Sequence, residues 1–129
     1  MVDLSKKKES EGEELLKQAC DKYSESIDIN PHYFMGYYYY GCALHSLGRS
    51  VKDKNKQVSI IINSELYIYV LYEQLSENYL LDAKVKLEQA NALRTEDVFV
   101  LNELASTLHD HALLKESMFS FFWYIYLLT

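Results

Sequence analysis

The sequence predicts an all-α fold in which antiparallel helix hairpins stack side by side as an α-solenoid. Two observations favour helices: apolar residues recur at helical spacing, and only one Pro and four Gly occur among 129 residues. A third favours a repeated unit, because small and bulky residues recur at a step of 34 residues. The step relates Tyr67, Ala83, Leu87 and Ala90 to Leu101, Ser117, Phe121 and Tyr124.

Composition limits the class of protein and of partner. A chain with 49% apolar and 25% charged residues is neither disordered nor of low complexity. Its length suits one helical domain, which we expect over 13–129 after a frayed or disordered lead-in over 1–12. The chain is either complete or a fragment of a longer array. A formal net charge of −6 argues against nucleic acid, since such a partner requires a basic face.

Cysteine usage and the longest uncharged stretch indicate where the chain works. The only cysteines are Cys20 and Cys42, and no secretory leader precedes them, which favours thiols in a reducing compartment. The uncharged run over 117–129 is shorter than the roughly 20 residues that a membrane helix needs. We therefore expect no membrane span, and a cytoplasmic or nuclear location.

The first half of the chain predicts two helices around a proline turn. Apolar positions from Glu13 to Asn30 share one helical face, and Pro31 then closes the turn because proline cannot continue a helix. The next helix is predicted over 34–47, with Gly48 as its C-terminal stop. Residues 49–63 match the pattern poorly, and an irregular or shortened helix is expected there.

The second half predicts two further hairpins. Their first helices are expected over 64–76 and 97–109, and Asn78 is available for the turn of the earlier hairpin. The second helices carry Ala83, Leu87 and Ala90 in one hairpin and the stretch 117–129 in the other. Small residues let paired helices approach closely, so Gly41 and Ala105 are predicted at the contacts inside the hairpins.

This spacing resembles the tetratricopeptide repeat (TPR) family. Its pattern places a small residue and aromatics on both helices of a hairpin, with Pro after the second. Here Ala19, Tyr23 and Ser26 precede Pro31, and Tyr37, Tyr40, Gly41 and Leu44 lie on one face of the next helix. The resemblance implies a right-handed superhelix of hairpins and a role in binding proteins or peptides.

The resemblance also implies a concave groove lined by the first helix of each hairpin. By register the groove side chains are Tyr38, Tyr39, Cys42, His45, Ile68, Tyr69, Tyr72, Asn102, Glu103, Ser106 and His109. Chaperone-binding members of the family hold a carboxylate with basic groove residues, and those positions carry Tyr39, Glu65, Tyr69 and Glu103 here. Because an acidic ligand would meet like charge, the co-chaperone class is disfavoured.

A finer resemblance covers most of residues 31–128. The order YYYYGCALHSLGRS, SELYIYVLYEQLSENYLLDAKVKLEQA and MFSFFWYIY is similar to the amino-terminal half of a TPR scaffold subunit of the anaphase-promoting complex. That resemblance implies a non-catalytic subunit of a ubiquitin ligase that acts in the cell cycle, and a homodimer. The alternative is a TPR peptide receptor for trafficking or import.

No set of residues predicts an enzyme, a cofactor or a metal site. Cys42 and His45 share a helical face as a thiol and base would, but no acid is placed to orient the base. His109 and His111 are two positions apart, so they point to different faces of a helix. We expect a binding protein without catalytic residues.

The end of the chain predicts a second contact surface. In the predicted register Phe121, Tyr124 and Leu128 face inward, and the last helix packs on Leu101, Leu104 and Leu108. Four large aromatics remain for another surface: Phe119, Phe122, Trp123 and Tyr126. Either the chain continues beyond them or another subunit covers them, and self-association through these four is the prediction.

Overall fold

Four long helices form the structure. The computed structural model of the chain describes residues 4–58 and 65–128, apart from the side chains of Lys6, 55–58 and 65–69. The helices are α1 (Leu4–Ile29), α2 (Phe34–Val58), α3 (Glu65–Leu93) and α4 (Val98–Leu128). The prediction of an all-helical chain is therefore confirmed over the described residues. Helix α1 includes residues 4–12 of the lead-in that was predicted over 1–12.

The proline turn between α1 and α2 lies where the sequence predicts it. Helix α1 ends at Ile29, and the side-chain oxygen of Asn30 accepts a hydrogen bond from the backbone N–H of His32 at 3.1 Å. The Asn30 carbonyl accepts another from Tyr33 at 3.1 Å. Pro31 has no N–H to satisfy, so it fits between these bonds. The short turn makes α1 and α2 antiparallel neighbours.

Asp97 begins α4 and closes the turn after α3. Its Oδ1 atom accepts hydrogen bonds from the backbone N–H groups of Phe99 at 3.0 Å and Val100 at 3.2 Å, the geometry of an N-cap. The predicted start of this helix is thus confirmed. Glu96 has a φ of 63°, a left-handed conformation that costs free energy for a residue with a Cβ.

The predicted helix end at Gly48 is wrong, because α2 continues to Val58. Gly48 is buried against α3, where a Cβ atom would lie 2.9 Å from Leu80 Cδ2. The Ser76 hydroxyl of α3 also donates a hydrogen bond to the Gly48 carbonyl at 2.8 Å. Gly48 therefore allows α2 and α3 to approach each other closely. Residues 49–58, predicted as the first part of a separate helix over 49–63, form the last turns of α2. Residues 59–64 are not among the residues that the structure describes.

The turns predicted near Asn78 and after His109 are also wrong. Helix α3 passes through Asn78, whose side chain accepts a hydrogen bond from Gln74 one turn earlier at 3.1 Å. Helix α4 passes through His109 and reaches Leu128, so the last stretch cannot fold back on Leu101, Leu104 and Leu108 of the same helix. Its buried residues Val100, Thr107 and Leu114 recur at seven-residue steps, as a continuous packed helix requires.

Helix α2 lies at the centre of the fold and packs against the other three helices. The core cluster joins Cys20 of α1, Ala43, Leu44 and Leu47 of α2, and Ala83 of α3. Besides Glu73 and Glu77, the buried residues of α3 recur at alternating steps of four and three: Ser76, Leu80, Ala83, Leu87 and Ala90. This spacing gives α3 one continuous stripe that faces α2.

Gly41 lies at a close helix contact, as predicted, although its neighbour is α3. A Cβ atom built on Gly41 would be 2.6 Å from Leu87 Cγ and 3.3 Å from the Ala83 carbonyl oxygen. Only a residue without a side chain fits there. The matching prediction for Ala105 is wrong, because Ala105 is exposed on α4.

Candidate binding pocket and helix contacts

A pocket of about 440 Å³ lies where α2 begins and where the turn from α3 leads into α4. Seven side chains line this aromatic pocket: Phe34, Met35, Tyr38, Tyr39, Arg94, Asp97 and Phe99. Four of them are aromatic, and two carry opposite charges. The groove residues Tyr38 and Tyr39, both predicted from the sequence, are therefore part of the pocket.

Ring contacts arrange the aromatic wall. Phe34 and Tyr38 are one helical turn apart on α2, and their rings are nearly parallel with centroids 6.2 Å apart. Tyr39 approaches Tyr38 at 5.3 Å and stacks on Tyr23 of α1 at 6.0 Å. The wall is thus fixed by contacts within α2 and across to α1, which limits how far these side chains can rearrange.

The charges of the pocket come from the turn before α4. The Arg94 guanidinium lies 5.2 Å from the centroid of the Phe34 ring, a cation–π distance. One oxygen of Asp97 is 3.8 Å from Arg94 Nη1, while the other caps α4. Arg94 therefore contacts Phe34 and Asp97 caps α4, but the distance between the two charged groups is long for an ion pair.

The Tyr38 hydroxyl and the Cys42 thiol form a hydrogen-bonded pair beside the pocket. Burial, together with the neighbouring Cys42 and Glu103, raises the pKa of Tyr38 to about 12. Burial and Glu103 likewise raise the pKa of the Cys42 thiol to about 11. Cys42 is therefore a protonated thiol at neutral pH, which is a poor nucleophile.

A polar cluster holds α2 against α4 and consists of His45, Arg49, Glu103, Ser106 and Asp110. His45 is 2% exposed, and its Nδ1 and Nε2 atoms lie 2.6 Å from oxygens of Glu103 and Asp110. Each ring nitrogen of His45 therefore has a carboxylate oxygen opposite it on α4. Both nitrogens face α4 and neither faces Cys42, so His45 and Cys42 are not arranged as a base and its thiol.

Arg49 completes the polar cluster and brings a positive charge to Asp110. Its Nε donates to Asp110 Oδ2 at 2.6 Å, and its Nη2 donates to the Ser106 hydroxyl at 3.0 Å. Burial alone raises the pKa of Asp110, but the hydrogen bonds from Arg49 and His45 outweigh burial and hold it below the ordinary 3.8.

The remaining predicted groove residues do not share one surface. His45 is buried, Cys42 and Glu103 are half-buried in the contact between α2 and α4, and Tyr72 is half-buried on α3. Asn102 and His109 are exposed on α4, and Ser106 is bonded to Arg49. The side chains of Ile68 and Tyr69 lie outside the description. His111 contacts Glu77 of α3 at 3.2 Å, so it faces away from His109.

Five pocket residues were not among the predicted groove residues: Phe34, Met35, Arg94, Asp97 and Phe99. Phe34 precedes Tyr38 by four residues, one helical turn, so the sequence spacing alone indicated that the two rings could stack. Arg94 and Phe99 flank Asp97, where the sequence predicted a helix to begin, but that prediction did not indicate their nearness to Phe34. That nearness depends on how α4 packs across α2 and α3.

The end of α4 exposes a run of large apolar side chains. This apolar end consists of Phe119, Phe122, Trp123, Tyr124, Tyr126, Leu127 and Leu128, each more than half exposed. The prediction that Tyr124 and Leu128 face inward is wrong, since they are 60% and 66% exposed. Phe121 is half-buried and lines a small cleft with Val70 of α3. The predicted self-association residues all belong to the apolar end.

Comparisons with known proteins return no relative: the chain matches no family model, no curated protein and no solved structure. Over the part of the chain that the structure describes, no helix combines the length and the apolar character that crossing a membrane requires. The same residues hold no group of three or more His, Cys, Asp or Glu side chains that could bind a metal ion.

Proposed function

We propose that this chain is a non-catalytic protein–protein interaction scaffold that self-associates through the apolar end. The exposure of that end is the observation that carries the proposal. Phe119 is 71% exposed and Trp123 is 54% exposed, and the ring of Trp123 stacks on Tyr126 at 5.8 Å. A contiguous exposed apolar patch of this kind is typical of an interaction surface.

The area of the apolar end suits a dimer contact. A large aromatic side chain buries about 150 to 250 Å² when fully covered. The five aromatic side chains and two leucines of the apolar end, each more than half exposed, together offer on the order of 700 Å², close to the roughly 800 Å² per partner of a standard interface. No charged residue occurs over 117–128, so two copies meet there without like-charge repulsion despite a net charge of −6 on each.

A more specific proposal rests on the resemblance of the sequence to the TPR family. It is a TPR-like right-handed solenoid that serves as a scaffold subunit of an assembly such as the anaphase-promoting complex, in the cytoplasm or nucleus. Antiparallel packing of α1 on α2, α2 on α3 and α3 on α4 supports stacked hairpins. Helix length weighs against it, because α4 alone takes 31 residues where a TPR places two helices and a turn in 34.

The mass of the full chain in solution tests the scaffold. Sedimentation equilibrium at increasing concentration is expected to give a dimer for the parent chain. The double variant Phe119→Glu, Trp123→Glu is expected to give a monomer with unchanged helicity. The matched control Leu15→Glu, Ile29→Glu changes two exposed apolar side chains of α1 in the same way and should remain dimeric. A parent chain that stays monomeric contradicts the proposal.

A second candidate is a peptide receptor for trafficking or import, favoured by the aromatic pocket. Its volume of about 440 Å³ falls within the range of ligand sites. A receptor of this kind stays monomeric and binds a short peptide at Tyr39 and Phe99. A monomeric parent chain that loses peptide binding in Phe99→Ala would favour the receptor over the self-associating scaffold.

A further inference from the structure

The chemistry of the aromatic pocket points to a particular class of peptide. We propose that the pocket binds a peptide segment in which an aromatic side chain lies next to a carboxylate. The aromatic side chain occupies the cavity, and the carboxylate pairs with Arg94. This inference rests on the proposed role in protein binding and adds the ligand class of the site.

The walls of the pocket suit an aromatic ring. Tyr38 and Tyr39 supply ring faces and edges in two orientations, with an angle of 53° between their planes. Phe99 is 73% exposed at the start of α4, and Met35 adds a flexible side chain that adapts to irregular shapes. Aromatic pairs favour tilted and offset contacts, so an incoming ring gains contacts that an aliphatic side chain lacks.

Arg94 has unused capacity for an acidic partner. Its side chain is 64% exposed, and Asp97 Oδ2 at 3.8 Å is at the outer limit of an ion pair. The contact with Phe34 uses the charge of the guanidinium, while its N–H donors lie in the plane of the group. A carboxylate can therefore accept two hydrogen bonds from Arg94 without displacing it from the ring.

The charges around the cavity favour an anion over a cation. Asp97 is the one carboxylate among the described residues that line the pocket, and its Oδ1 atom already accepts hydrogen bonds from the two N–H groups at the start of α4. Glu103 lies near Tyr38, but its carboxylate already contacts His45. Glu96 is exposed to solvent, which screens it. An incoming cation would instead face Arg94 at the aromatic wall, and like charges repel.

Short peptides that differ in one group test this ligand class with the full chain. The probes are Ac-Trp-Glu-NH2, Ac-Trp-Gln-NH2, Ac-Trp-Lys-NH2 and Ac-Ala-Glu-NH2, titrated while backbone amide resonances are followed by NMR. Shifts are expected at the residues lining the pocket. Ac-Trp-Glu-NH2 should bind at least fivefold more tightly than Ac-Trp-Gln-NH2, and the lysine and alanine peptides should bind most weakly.

Variants separate the two parts of the interaction. Arg94→Gln is expected to remove the preference for Glu over Gln, Arg94→Lys to retain part of it, and Phe99→Ala to weaken both peptides several-fold. Lys22→Gln is the matched control, because it removes one exposed positive charge on α1 and should leave every affinity unchanged. Binding of the Lys peptide as tight as the Glu peptide, an absent response to all four, or shifts outside the pocket would overturn the inference.

The peptide titrations and the mass measurement that tests the scaffold can fail independently. Arg94→Gln leaves the apolar end intact, so the mass in solution should not change. If the chain is dimeric but the peptides show no charge preference, only the ligand class is wrong. If the chain is monomeric but the preference for Glu depends on Arg94, the ligand class stands and the self-associating scaffold fails.

Discussion

The two contacts that α2 makes with later helices rest on different physics. Toward α3 it presents Gly41 and Gly48, and Leu80 and Leu87 fill the space that side chains would occupy. Toward α4 it presents His45 and Arg49, which face carboxylates. The first contact is held by shape and the second by charge. We therefore expect added volume to break the first, and removal of a charge or a fall in pH to break the second.

The largest effect is expected from His45→Ala in the polar cluster. Removing the imidazole takes away the partner that Glu103 and Asp110 have on α2, and only Asp110 still pairs with Arg49. Leaving two partly buried carboxylates without this hydrogen-bonding partner is expected to cost about 3 kcal/mol. Chemical denaturation followed by circular dichroism measures the loss.

A double-mutant cycle provides the control for this cluster. His45→Ala combined with Asp110→Ala should cost less than the sum of the two single changes, since the removed groups interact directly at 2.6 Å. Purely additive costs would mean that the pair contributes no energy of its own to the contact between α2 and α4.

Gly41→Leu is expected to have the next largest effect, at the contact held by shape. The new side chain overlaps Leu87, and the carbonyl oxygen of Ala83 limits how far the helices can adjust. Overpacking of this kind costs about 1 to 3 kcal/mol. Gly12→Leu is the control, because no atom lies within 4 Å of a Cβ built on Gly12. An equal melting temperature for the parent and Gly41→Leu chains would contradict the assigned contact.

Acid should weaken the charged contact and spare the other. Because the pKa of Asp110 is lowered by folding, its ionised form stabilises the fold above the ordinary value of 3.8, and this stability is lost as the pH falls through the lowered pKa. At pH 7 Asp110→Asn should cost about 1 kcal/mol.

Thermal unfolding at a series of pH values tests the assignment to Asp110. The difference between the parent chain and Asp110→Asn should close below pH 3.8, whereas the cost of Gly41→Leu should stay constant. A cost of Asp110→Asn that persists unchanged in strong acid would show that charge is not its source.

The smallest effect is expected at Glu96, which belongs to neither contact of α2. Its φ of 63° suits glycine, so Glu96→Gly should stabilise the chain by about 0.5 kcal/mol after the greater freedom of the unfolded glycine is taken into account. Glu116→Gly in the interior of α4 should instead destabilise by about 1 kcal/mol. Equal signs for the two, measured by thermal unfolding, would exclude relief of backbone strain.

Local signals explain which helix ends were predictable. Pro31 lacks a backbone N–H, and Asp97 accepts hydrogen bonds from the N–H groups that begin α4, so each acts on the few residues around it. The predicted turn at Pro31 and the predicted start of α4 both agree with the structure. Gly48 and Asn78 are weaker signals. A glycine inside a helix costs only about 1 kcal/mol, and the packing of Gly48 against α3 outweighs that cost. The three- and four-residue spacing along α3 did carry a signal for one uninterrupted helix.

The sequence by itself determined the helical class, the turn at Pro31 and the start of α4, because these depend on residues close together in the chain. It also identified the uncharged aromatic stretch from which the apolar end is built. Only the tertiary structure decided that Arg94 and Phe99 complete a pocket with Phe34, and that His45 is buried between Glu103 and Asp110. The physical reason is distance along the chain: these contacts join residues about 60 positions apart, and they exist only once α4 has packed against α2 and α3.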